Sequence, residues 1–234
     1  WEWHEAGIPV LRTRYIQLMN RERAMFLPIS FLVATIVLYF IFRQLKSIFI
    51  PLFAISTTLI WIAGIMAYFG ITINVISYLT FNLLMIIGVS NAIHLLMKYH
   101  EGLSIGLSQR DSLDRVINKI GGALFLTSFT TAVGFCSLAY TNIKITQQFG
   151  LMVGFGVILM FILTIIIMPI ILNFIKPPNK SHIRRLIKGE QFRAAYKLNA
   201  WNTNNPRLIL IVTAVLFIVA LFGLCRMDYN ASVL

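Results

Sequence analysis

Residues 149–175 read FGLMVGFGVILMFILTIIIMPIILNFI, a run with no Asp, Glu, Lys or Arg. A spanning helix needs about 20 mostly apolar residues. This run exceeds that requirement and would be about 40 Å long at helical rise. Five more uncharged apolar runs follow the same rule, at 26–42, 48–69, 76–97, 123–140 and 208–224. The whole chain is 58% apolar and only 12% charged, against roughly 25% charge in a soluble domain. Lipid is the natural solvent for that excess. The expected fold is therefore all-α membrane, a polytopic bundle of about six transmembrane helices.

The net charge of +12 sits in the connections rather than on one helix face, which argues against nucleic acid as a partner. Of the 20 Lys and Arg, 14 fall in the loops after the first, third and fifth runs. The positive-inside rule places those loops in the cytoplasm and both chain ends outside. Arg12, Arg14, Arg21 and Arg23, ahead of the first run, oppose this mildly. Residues 15–25 read as a helix leading into the first span. In 176–207, Pro177 and Pro178 break the helix. Spaced apolar residues among basic ones then suggest an amphipathic helix on the membrane surface, with a solvated basic loop as the alternative. The chain starts at Trp1 and is read as a piece of a longer protein.

Polar groups inside spans mark function or packing. The third run offers Ser90, Asn91 and His94; the fourth offers Thr127, Ser128, Thr130 and Thr131. Thr127, Thr130, Thr131 and Gly134 share one helix face by spacing, as do Ser90 and His94. Asn91 lies six residues before the end of its run and Thr130 seven after the start of the next. Both are then about 10 Å from the same membrane face, so the two polar faces are expected to meet at one level. Gly134, and the pair Gly150 and Gly154, suit close helix packing. His94 is the one residue in these runs whose charge changes near neutral pH. No Ser/His/Asp set, metal-ligand spacing or phosphate loop is present, so no enzyme, cofactor or metal is expected.

Thr127-Ser128-Phe129-Thr130-Thr131-Ala132-Val133-Gly134-Phe135 resembles the Thr-Ser-x-Thr-Thr-Ala-x-Gly-Phe signature of RND-superfamily exporters. That group takes in MMPL lipid transporters, hopanoid-exporter-like proteins, and Patched and Niemann-Pick relatives. Gly88-Val89-Ser90-Asn91-Ala92-Ile93-His94-Leu95-Leu96 resembles the Gly-x-x-Asp-Ser-x-His-Leu-Leu stretch of the bacterial members. Asn205-Pro206-Arg207 resembles the lead into their second half. The resemblance implies an organisation. Residues 1–25 would close an outer porter domain, and 26–175 would form a five-span block like a sterol-sensing domain. Residues 176–207 would be a cytoplasmic linker, 208–224 the first span of a second half, and 225–234 the start of a second outer domain.

It also implies an exporter of hydrophobic or lipid-like molecules in a bacterial inner membrane, driven by protons or other cations. Membrane lipids would be its neighbours, and a homo-oligomer is compatible with the sequence. The family places acidic coupling residues in the third-run motif, where this chain has Ser90 and Asn91. That departure keeps two alternatives open: a lipid-sensing or scaffold module that transports nothing, and a translocation helper like SecD or SecF.

Overall fold

The structure, a computed structural model, describes residues 8–71, 75–178 and 201–225, together with 183 and 199. The expected amphipathic helix in 176–207 lies mostly outside these residues, as do 1–7 and 226–234. Among the described residues there is no strand. The helices are α1 (Ile8–Phe42), α2 (Leu45–Tyr68), α3 (Val75–Ser104), α4 (Gln109–Cys136), α5 (Lys144–Phe174) and α6 (Pro206–Cys225). A 3₁₀ turn, Ser137–Tyr140, follows α4. All six α-helices are long and apolar enough to cross a membrane. The molecule is thus a polytopic α-helical membrane protein. Two units divide the chain, Trp1–Ile187 and Lys188–Leu234; α1–α5 make up the first, and α6, in the second, is a single apolar helix of 20 residues.

The helices outrun the apolar stretches that announce them. The third apolar run ends at residue 97, yet α3 continues to Ser104; the fourth begins at 123, yet α4 starts at Gln109. Hydropathy marks where lipid stops, whereas a helix stops where its backbone hydrogen bonds are capped. Glycine makes both stops. After α2, the Ile71 N–H donates to the Met66 carbonyl at 2.9 Å and the Gly70 N–H to Ala67 at 3.1 Å, with Gly70 at φ +65. After α3, Leu107 donates to Gly102 at 3.3 Å and Gly106 to Leu103 at 3.2 Å, with Gly106 at φ +90. Both are Schellman ends, which need a residue in the left-handed region. The next helix, α4, opens on Ser108, whose Oγ accepts from the Asp111 N–H at 3.1 Å. Its neighbour Gln109 reaches across to α5. The amide nitrogen donates to the Leu172 carbonyl, and to that of Ile175 at 3.0 Å, capping the end of α5.

Lipid supplies no hydrophobic drive between helices, so their contacts rest on close packing. α5 is the central element, and small residues bring it near its neighbours. A Cβ on Gly154 would lie 2.5 Å from the Cys136 Sγ, and one on Gly150 would lie 2.4 Å from the Phe135 carbonyl oxygen. Toward α3, Gly156 leaves room for Leu84, and Gly88 leaves room for Ile55 and Met160. Around these contacts two buried clusters form. Phe42, Leu96, Tyr99, Val116 and Met168 fill the end bearing the α3–α4 hairpin. Ile55, Ile62, Met66, Leu84 and Met160 fill the other end. Phe40, Trp61, Phe125 and Ile166 point outward.

Gly150→Ala and Gly154→Ala should each destabilise the protein by about 1–3 kcal/mol, the usual cost of overpacking. Gly134→Ala should be neutral, since a Cβ there meets nothing within 4 Å. Thermal denaturation in detergent, monitored by helical circular dichroism, reads the difference.

Candidate functional site

The polar residues of α3 and α4 separate into two sets. Ser90, His94, Thr127 and Thr130 are exposed on the five-helix unit and Thr131 is half-buried. Asn91 and Ser128 are buried, at 5% and 2% exposure. Gly134 is exposed, and a Cβ there meets nothing within 4 Å among the described residues, whereas Gly150 and Gly154 sit in the α4–α5 contact described above. One helix thus presents polar groups on two sides. Position 91 is one residue, about 100° of helix turn, beyond position 90, which is enough to carry the amide from the surface into the core.

The exposed threonines are satisfied by their own helix. Thr127 donates to the Ala123 carbonyl at 2.8 Å, Thr130 to Leu126 at 2.9 Å, and Thr131 to Thr127 at 2.7 Å. Such back-bonding is the ordinary state of a hydroxyl within a helix. Thr35, Ser56, Thr57 and Thr58 show it too. The buried groups differ. The Asn91 Nδ2, the Ser128 Oγ and the Thr164 Oγ1 have no protein hydrogen-bond partner among the described residues. Thr164, on α5, is 1% exposed. Sequence reading passed over it, although it is the sole hydroxyl in the 149–175 run, and that isolation was the available signal.

The structure also revises the expected levels. Across the α3–α4 hairpin, Gly102 faces Ser112, with a Cβ on the glycine 2.8 Å from the serine Oγ. Moving eleven residues from that contact along each antiparallel helix sets Asn91 level with Ala123, rather than with Thr130. Asn91 and Thr130 differ in height because each helix extends beyond its apolar run by a different length. Ser128 comes level with Ile86, five residues from Asn91, or about 7.5 Å in backbone height. On the parallel helix α5, the Gly88–Met160 contact places Asn91 level with Leu163, next to Thr164.

A groove of about 330 Å³ runs between α1 and α3, lined by Ile29, Val33, Val37, Met85, Ile86 and Val89. Its polar edge is Ser30, whose Oγ donates to the Asn82 Oδ1 at 3.2 Å. No cluster of metal-ligating side chains occurs among the described residues.

Comparison with known proteins gives the following. Residues 6–202 match the model of the MMPL family. A membrane protein of Methanocaldococcus jannaschii is 23% identical over 182 residues, covering 78% of this chain and 46% of that protein. The transport protein MmpL8 of Mycobacterium bovis is 22% identical over 203 residues, covering 83% of this chain and 18% of that protein. The sulfolipid-1 exporter MmpL8 of Mycobacterium tuberculosis is 21% identical over 145 residues, covering 61% and 13%. The chain therefore spans less than half the length of these relatives.

Because the exposed hydroxyls of α4 already bond to their own carbonyls, Thr127→Val and Thr130→Val should each change stability by no more than about 0.6 kcal/mol. Melting temperatures of the purified variants in one detergent provide the check.

Proposed function

The chain belongs to the MMPL family, and on that footing we propose that it is part of a secondary transporter that exports lipid-like molecules, driven by an ion gradient. The observation that carries this reading is the exposure of polar residues within both spans, Ser90 and His94 on α3 and Thr127 and Thr130 on α4. Polar side chains at membrane depth turned to lipid are unfavourable. They usually face a second helical body or a wet path. Exposure of this kind suits a seam along which one helical half moves against another while ions pass between them. His94 supplies an imidazole there, able both to donate and to accept a hydrogen bond.

The apolar groove between α1 and α3 supports a lipid-like substrate, since a single hydrocarbon chain suits both its volume and its lining. The name of the Mycobacterium tuberculosis relative, an exporter of sulfolipid-1, points the same way. The cytoplasmic placement of the basic α3–α4 hairpin follows from the positive-inside rule; a bacterial inner membrane, which the family resemblance suggests, belongs to the same proposal.

A second reading, a lipid-sensing or scaffold module without transport, is favoured by Ser90 and Asn91 standing where coupling carboxylates are expected. The two readings separate on His94→Ala in the full-length protein, assayed for lipid export from inverted vesicles under an imposed ion gradient. The transporter reading expects export to fall about tenfold, equivalent to about 1.4 kcal/mol in the barrier, with expression and melting temperature unchanged. Wild-type export by this variant would remove His94 from the mechanism. Absence of gradient-driven export in the wild type would favour the scaffold.

A further inference from the structure

Asn91, Ser128 and Thr164 come from three helices that pack on one another, α3, α4 and α5. Each side chain is at least 95% buried, judged from exposures of 5%, 2% and 1%. Each carries a polar atom without a protein partner among the described residues. In a lipid-embedded bundle, water outside the core is not within reach of such groups. An unsatisfied donor there costs several kcal/mol.

The three groups also converge in height. Side chains of an α-helix lean toward its N-terminus. α3 and α5 both run toward the hairpin end, so Asn91 and Thr164 lean away from it. The opposite course of α4 makes Ser128 lean toward it. The 7.5 Å backbone offset between Asn91 and Ser128, already about one and a half turns, is thereby reduced at the side-chain tips. By these registers the three positions span six residues of height, about 9 Å of backbone, which the opposed leans shorten at the side-chain tips. Thr80 has an unpartnered hydroxyl as well, but it lies three turns along α3 from Asn91 and outside this span.

We propose that Asn91, Ser128 and Thr164 form an internal binding site for a single water molecule that ties α3, α4 and α5 together. The chemistry selects water over an ion. No Asp, Glu, Lys or Arg occurs in the apolar stretches 76–97, 123–140 or 149–175 to balance a charge. The amide and the two hydroxyls offer both donors and acceptors, and a buried water typically makes about three hydrogen bonds to groups of this kind. The site lies on the inner side of the helices that carry Ser90, His94 and the exposed threonines. It rests on the chain spanning lipid and not on the transporter reading.

The test uses the full-length protein in lipid nanodiscs. Asn91→Leu, Ser128→Ala and Thr164→Val are each compared with the triple variant by melting temperature. If the three share one water, each single change strands the other groups, lowering the midpoint by about 2–4 °C, and the triple variant recovers most of the loss. Losses that add in the triple variant overturn the proposal, as do three silent single variants. A second measurement is independent of folding changes. X-ray radiolytic footprinting of the wild type should oxidise Met160, which is fully buried, through radicals formed on the trapped water. An unlabelled Met160 overturns the proposal. Neither negative result bears on lipid export.

Discussion

The close approach of α5 to its neighbours governs the arrangement of the five-helix unit. Gly150 and Gly154 admit the end of α4, Gly156 admits Leu84, and on the other side Gly88 admits Met160. Between lipid-soluble helices there is little reward for excluding solvent, so affinity comes from the number of atoms within van der Waals range. A glycine at the contact lets two backbones come close enough for whole side chains to interlock. Once α5 is seated, α3 and α4 are held at fixed heights and rotations. Those rotations decide which of their polar residues face in and which face out.

The division of polar groups follows from that seating. α4 turns Leu124, Ser128 and Ala132 inward, four residues apart, leaving Thr127 and Thr130 on the far side. α3 turns Ala92 and Leu95 inward with Asn91, leaving Ser90 and His94 outside. The exposed hydroxyls of α4 are quenched by their own carbonyls. The buried Asn91 and Ser128 each carry a polar atom with no protein partner among the described residues. The exposed polar residues remain open to a neighbouring body, and the buried ones lie within the packed core. The same two helices supply both.

The architecture was legible in the sequence because each span announces itself by length and lack of charge, a signal that needs no tertiary information. All six apolar runs recur as helices, and the motifs at 88–96 and 127–135 pointed to the family that the comparisons establish. The geometry of the site was less legible. The ends of apolar runs do not fix heights; the hairpin at 105–108 does, where Gly106 ends α3 and Ser108 opens α4. Rotation was hidden for a different reason. Ser90, Asn91 and His94 are all polar, and only the contact of Gly88 with Ile55 and Met160 shows which side of α3 is the core. Thr164 is a lone threonine in an apolar run, and a single hydroxyl has no periodicity to assign it to a face.

The amide at position 91 is consistent with its surroundings. A carboxylate at 5% exposure, with no cation in the apolar stretches around it, would hold a proton at neutral pH, because burial penalises the charged form. Its ionisation would strain a core built from Leu95, Leu96, Ala92 and Met168. Asparagine keeps the hydrogen-bonding capacity of that group and removes its titration. Position 91 is therefore polar without carrying a titratable group. On α3, one turn beyond Ser90, His94 lies on the exposed face and is not enclosed by the apolar core.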